Sequence, residues 1–156
     1  MDKLLFSRQR RFKVWHYWIS HSQLLLRSEK DARHPTRVEV LFKPVASMNL
    51  PTTMDELHIA EADDATAAGI WEQVGGPHYP DDKVFVLWGP GFRGHIVALS
   101  IHFAEDEGDS STPSPLFGPM LPELWEEFLA HRKAVVANEG LFGHLSPGRS
   151  AAGPQQ

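Results

Sequence analysis

The stretch KVFVLWGPGFRGHIVALSIHF, residues 83–103, decides the fold. Two runs rich in β-branched and aromatic residues, 83–88 and 95–103, flank a glycine-rich hexapeptide. Such runs favour strands, and residues 89–94 between them predict a hairpin. Side chains alternate between the two faces of a strand. His95, Val97, Leu99, Ile101 and Phe103 are therefore expected on one face, and Ile96, Ala98, Ser100 and His102 on the other. Both faces are largely apolar. This places the hairpin centrally in its sheet, where a helix can cover it.

The hexapeptide Gly89-Pro90-Gly91-Phe92-Arg93-Gly94 also spells G-x-G-x-x-G. A dinucleotide site needs a helix after the third glycine, because the helix N-terminus receives the pyrophosphate. The residues that follow read as strand. The glycines are assigned to positive-φ positions of a hairpin loop, and no cofactor is expected.

Upstream, residues 11–19 (RFKVWHYWI) predict a strand with Phe12, Val14, His16 and Trp18 on one face. Lys13, Trp15, Tyr17 and Ile19 take the other face. Ser20, His21 and Ser22 read as a turn, and residues 23–28 as a second strand. Residues 36–43 (TRVEVLFK) alternate as a half-buried strand. Pro44 and Pro51 limit residues 45–50 to a short or edge strand, and residues 57–60 offer another. Asp63 and Asp64 cap a short helix over 65–74 that carries Ile70, Trp71 and Val74, and Gly75, Gly76 and Pro77 end it.

Downstream, residues 104–115 read as an acidic, Ser/Pro-rich loop. A helix is predicted over 122–138, with Leu121, Leu124, Trp125, Phe128 and Leu129 as its apolar stripe. The expected fold class is α+β. A twisted antiparallel sheet of about five to seven strands carries this C-terminal amphipathic helix on one face. Residues 1–143 form one globular domain, and 144–156 a disordered tail.

The chain has 156 residues and no cysteine. That length supports a core without disulfides or a structural metal. The missing cysteines exclude disulfide scaffolds, thiolate zinc sites and cysteine nucleophiles. No apolar run reaches the length of a membrane span, and the expected location is cytoplasmic. Residues 1–43 hold ten Lys/Arg and four Asp/Glu, whereas the rest holds five and sixteen. The basic third either forms a face for an anionic ligand or is cancelled by acidic segments folded against it. The acidic molecule as a whole disfavours nucleic acid as a partner.

Nine histidines raise the question of a metal, which needs three or four converging ligands. His95 and His102 differ in parity, as do His16 and His21. Glu127 and His131, four apart on the predicted helix, supply only two ligands. No metal is expected, and His16 and His102 are assigned to the core. There is no G-x-S-x-G or S-x-x-K signature, and Ser20-His21-Ser22 reads as a turn. The acidic group Glu105, Asp106, Glu107 and Asp109 lacks EF-hand spacing and reads as a solvated loop. No catalytic residue is assigned. The candidate interaction patch is Lys13, Trp15 and Tyr17, because exposed aromatics beside a cation are frequent interface anchors.

The stretch VWHYWISHSQLLLRS, residues 14–28, followed by the strand TRVEVLF, resembles a widespread group of short uncharacterised bacterial proteins. Residues 94–115 are similar as well, and the resemblance covers most of residues 10–140. It implies no catalytic residues. In general character (small, acidic, cysteine-free, β-rich) the chain is also similar to immunity proteins of bacterial toxin systems, a likeness at the level of fold alone. The leading expectation is a non-enzymatic protein-interaction module, immunity-like, whose partner is another protein. The alternatives are a small metal-dependent or hydrolytic enzyme using His16, His21, His95 or His102, and an anionic-ligand binder using residues 1–43.

Overall fold

Eight strands form a single antiparallel sheet in the computed structural model, which describes residues 1–117. In chain order they are β1 (Lys3–Arg8), β2 (Phe12–Trp18), β3 (Gln23–Ser28), β4 (Arg37–Asn49), β5 (Thr53–Met54), β6 (Leu57–Glu61), β7 (Lys83–Gly89) and β8 (Phe92–Asp106). One helix, α1 (Asp64–Val74), links β6 to β7. The spatial order is β1-β6-β7-β8-β4-β3-β2-β5. The α+β class and the antiparallel sheet agree with the sequence reading, with eight strands in place of five to seven. The predicted helix over 122–138, the boundary at 143 and the tail at 144–156 lie outside the described residues.

Chain length shows that this sheet is coiled. β1 stands first in the order and β2 seventh, yet only residues 9–11 join them. Four Cα steps reach at most about 15 Å. Six strand spacings in a flat sheet would need about 29 Å. The sheet therefore curls until its two ends approach. Phe6, Phe12, Leu24, Phe42, Ile59 and Phe85 lie in the apolar core that it wraps. Bulges at residues 4–6 and 14–16 add local twist in the strands that approach one another.

The central hairpin forms as predicted, with β7 and β8 third and fourth in the order. Its loop is tighter than six residues. Gly89 pairs with Phe92, so only Pro90 and Gly91 turn the chain. Gly91 has φ +78°, and proline followed by such a glycine suits the middle of a type II turn. Gly94 serves close approach instead: a Cβ there would sit 2.0 Å from the Asn49 carbonyl oxygen. A strand, not a helix, follows the third glycine. Both sheet faces carry buried apolar residues here, Phe85 and Ile96 toward the core and Val86 and Val97 away from it.

β4 overturns the proline argument. It runs unbroken from Arg37 to Asn49 between β3 and β8. Pairing holds at Lys43–Ser100 and Val45–Ala98 on either side of Pro44, with a register shift just beyond. Phe42 and Val45 both belong to the core; opposite them Ala98 belongs to it too and Ile101, partly buried, packs against it. Three-residue spacing on both strands means that they turn over together at Pro44, which absorbs the proline without ending either strand. β8 also continues to Asp106, so residues 104–106 are strand and not loop.

Helix α1 starts one residue earlier than expected. Asp63 caps it by accepting the Thr66 backbone N–H at 2.8 Å. Gly75, at φ +82°, closes it by donating to the Trp71 carbonyl. Ile70, Trp71 and Val74 are half-buried, and no residue of the helix is fully buried.

Candidate functional site

At the end of the sheet where β8 outruns β7, a charged ladder crosses three strands. Arg27 on β3 stands opposite Glu39 on β4, and Arg37 on β4 stands opposite Asp106 on β8. Glu39 Oε1 lies 3.0 Å from both Arg27 Nη2 and Arg37 Nε. Arg37 is fully buried. Its Nε and Nη2 donate to the two carboxylate oxygens of Asp106 at 2.8 and 2.6 Å. Its Nη1 donates to the carbonyls of Asp109 and Thr112 at 3.0 and 2.8 Å. The Ser114 hydroxyl donates to Glu39 Oε2. Arg37 thus replaces water for a whole loop of backbone oxygens. The ladder is a clasp for residues 107–114, and the bidentate pair holds the Asp106 carboxyl below its usual range.

The same interleaving accounts for much of the basic third. Arg8 pairs with Glu105, Arg11 with Asp55, and Arg10 donates to the Ser28 hydroxyl and to the carbonyls of Glu29 and Thr36. The cancelling carboxylates come from the β5–β6 link and from the end of β8.

The proposed aromatic patch is split. Lys13 is exposed and stands opposite Arg27. Trp15 lies in the bulge, half-buried, with the Arg27 guanidinium 4.4 Å above its ring. Past the bulge the faces exchange. His16 stands opposite Leu25, and Tyr17 opposite Leu24, a core residue. Directly opposed residues share a face, so Tyr17 leaves the face of Lys13 and Trp15. It remains 38 % exposed near the end of its strand. One extra residue in a strand reverses every later side chain, and simple alternation does not register it.

The histidines are dispersed. His95 is buried, and burial lowers its pKa. His102 is exposed and not in the core, with Nε2 3.0 Å from the Ser100 hydroxyl. Its pKa is lowered by burial and by Lys43. His16 is half-buried with its ring 4.2 Å from that of Trp18, and His21 is exposed. The turnover at Pro44 removes the parity argument for His95 and His102. Among the described residues no group of three or more His, Asp or Glu side chains is placed to hold a metal ion.

A groove of about 490 Å³ opens between β1 and the end of β8. Leu4, Phe6, Val38 and Phe103 supply its apolar lining, and Arg8 and Glu105 its charged rim. Leu4 is 59 % exposed and Phe103 42 %. Phe6 and Phe103 stack with rings 5.2 Å apart and nearly parallel. Among the described strands β1 pairs only with β6, leaving its other backbone edge without a strand partner. β8 beyond Ala98 pairs only with β4.

β1 carries no period-2 signal that would mark this site in the sequence. Leu4, Leu5 and Phe6 are consecutive, and the bulge between Leu4 and Phe6 makes that run compatible with a strand. No helix among the described residues is long and apolar enough to cross a membrane. No family profile, curated protein or solved structure matches the chain.

Proposed function

We propose that this chain is a protein-interaction module, immunity-like in character, that receives an extended segment of a partner protein along the groove between β1 and β8. The observation that carries the proposal is the coincidence of a strand edge unpaired among the described residues with an apolar groove whose Leu4 and Phe103 are open to solvent. A free edge offers main-chain hydrogen bonds, and alternate side chains of an added strand enter the adjoining groove. Arg8 and Glu105 at the rim then select polar groups flanking the apolar positions. A cytoplasmic location belongs to the same proposal, supported by the cysteine-free sequence.

Lys13, Trp15 and Tyr17 become a secondary surface in this reading, because the bulge divides them between faces. The test is affinity capture by the tagged full chain from a lysate of its source organism, beside a Leu4→Asp, Phe103→Asp variant and a Trp15→Ala, Tyr17→Ala variant. A protein enriched by the native chain, lost with the groove variant and retained by the aromatic variant is the expected result. Retention by the groove variant, or no enriched protein at all, overturns the proposal.

A further inference from the structure

Ser7 on β1 stands directly opposite His58 on β6, which brings their side chains together on one face. Ser7 Oγ lies 2.8 Å from His58 Nδ1. The other ring nitrogen, Nε2, lies 2.7 Å from Glu56 Oε1, on the link that leads into β6. An ionised carboxylate only accepts hydrogen bonds, so Nε2 carries the proton shared with Glu56. In the neutral ring this leaves Nδ1 as acceptor for the Ser7 hydroxyl. Trp88, opposite His58 on β7, stacks on the ring at 5.4 Å and 24°. The imidazole is thus fixed in tautomer by Glu56 and in plane by Trp88.

A hydroxyl, a base and a carboxylate that orients the base, hydrogen-bonded in series, are the parts that activate a serine. We propose that Ser7 is an activated nucleophile, with His58 as its general base and Glu56 as the residue that positions His58. Ser7 also lines the groove between β1 and β8, but the proposal rests on this hydrogen-bonded series and not on partner binding there. Ser7 Oγ attacks an acyl carbon while its proton passes to His58 Nδ1. The bond to the leaving oxygen then breaks, that oxygen takes the proton, and Ser7 is left as an ester. Water attacks next, giving its proton to His58. Release of the acid returns the proton to Ser7 Oγ, so the sum is ester plus water to acid plus alcohol. Ser7 is exposed and His58 half-buried, and Ser7 borders the open groove between β1 and β8. In so open a setting the chemistry favours acyl donors with good leaving groups, such as aryl esters; at a phosphonyl fluoride Ser7 Oγ attacks phosphorus instead, its proton passes to His58 and fluoride leaves.

The test uses the full chain and a fluorophosphonate probe, with the adduct located by peptide mass spectrometry. Ser7 is expected to react at least about 10-fold faster than exposed Ser20, and Ser7→Ala removes the fast adduct. His58→Gln slows labelling by about 100-fold or more, and Glu56→Gln by about 10-fold. Added imidazole restores labelling in His58→Ala, and Glu56→Asp keeps more of the rate than Glu56→Gln. A purely structural role for these residues would give neither rescue. Ser7 labelling no faster than Ser20, or a rate indifferent to Glu56→Gln and His58→Gln in folded protein, overturns the proposal.

Discussion

Phe6 and Phe12 meet edge to face, with ring centroids 5.7 Å apart. One ring comes from the first strand of the spatial order and the other from the seventh. The contact therefore bridges the two ends of the coiled sheet, where no ladder of backbone hydrogen bonds joins β1 to β2. Closure there rests on side chains and on the short link of residues 9–11.

Removing the bridge should weaken the whole domain. Phe12 is fully buried, and Phe12→Ala is expected to cost about 3–5 kcal/mol, by lost burial and by the cavity left behind. Urea unfolding should show a lower midpoint with an unchanged slope. A loss below about 1 kcal/mol would mean that the ends of the sheet are held by something other than this contact.

The Arg37 clasp gives a sharper prediction. Arg37→Met leaves Glu39 buried without one of its two cations, and Asp106 without its bidentate partner. Breaking a buried pair from one side costs about 3–5 kcal/mol. Amide exchange at residues 107–114 should accelerate more than exchange in β7. Uniform acceleration would show that the loop is fastened by other groups.

The same pair sets a pH dependence. Hydrogen bonding to Arg37 holds the Asp106 pKa below its ordinary value of 3.8. The unfolded carboxylate takes up its proton first as the pH falls. The stabilisation is therefore complete above the unfolded value and is lost as the pH drops through the folded one. Thermal midpoints recorded between about pH 6 and pH 2 should fall less steeply in Asp106→Asn than in the native chain. Parallel curves would assign the acid sensitivity to other carboxylates.

Gly94 is constrained by space alone. Gly94→Ala would bring a methyl group against the Asn49 carbonyl oxygen and push β4 from β8. A cost of about 1–3 kcal/mol is expected, the range for forced overpacking. Gly69, on α1, has nothing within 4 Å of its added Cβ. Gly69→Ala should stabilise by about 0.5–1 kcal/mol through helix propensity, which makes the pair an internal control in one melting experiment.

The sequence by itself determined the local elements whose causes are local. The apolar runs at 83–88 and 95–103, the hairpin that joins them and the Asp63 cap of α1 all follow from neighbouring residues, and all are present. The absence of a helix after Gly94 was legible in the same way. What only the tertiary structure decided depends on register and on distant partners. The bulge that moves Tyr17 away from Lys13 and Trp15 is a relation between β2 and β3. Pro44 is tolerated because β4 and β8 turn over together, which a reading of one strand does not contain. The groove needs β1 brought round to β8 from the far end of the chain, and Ser7 meets His58 across 51 residues. Alternation and composition report which side chains avoid water. They carry no information about which strand edge lies beside which, and that pairing places every site described.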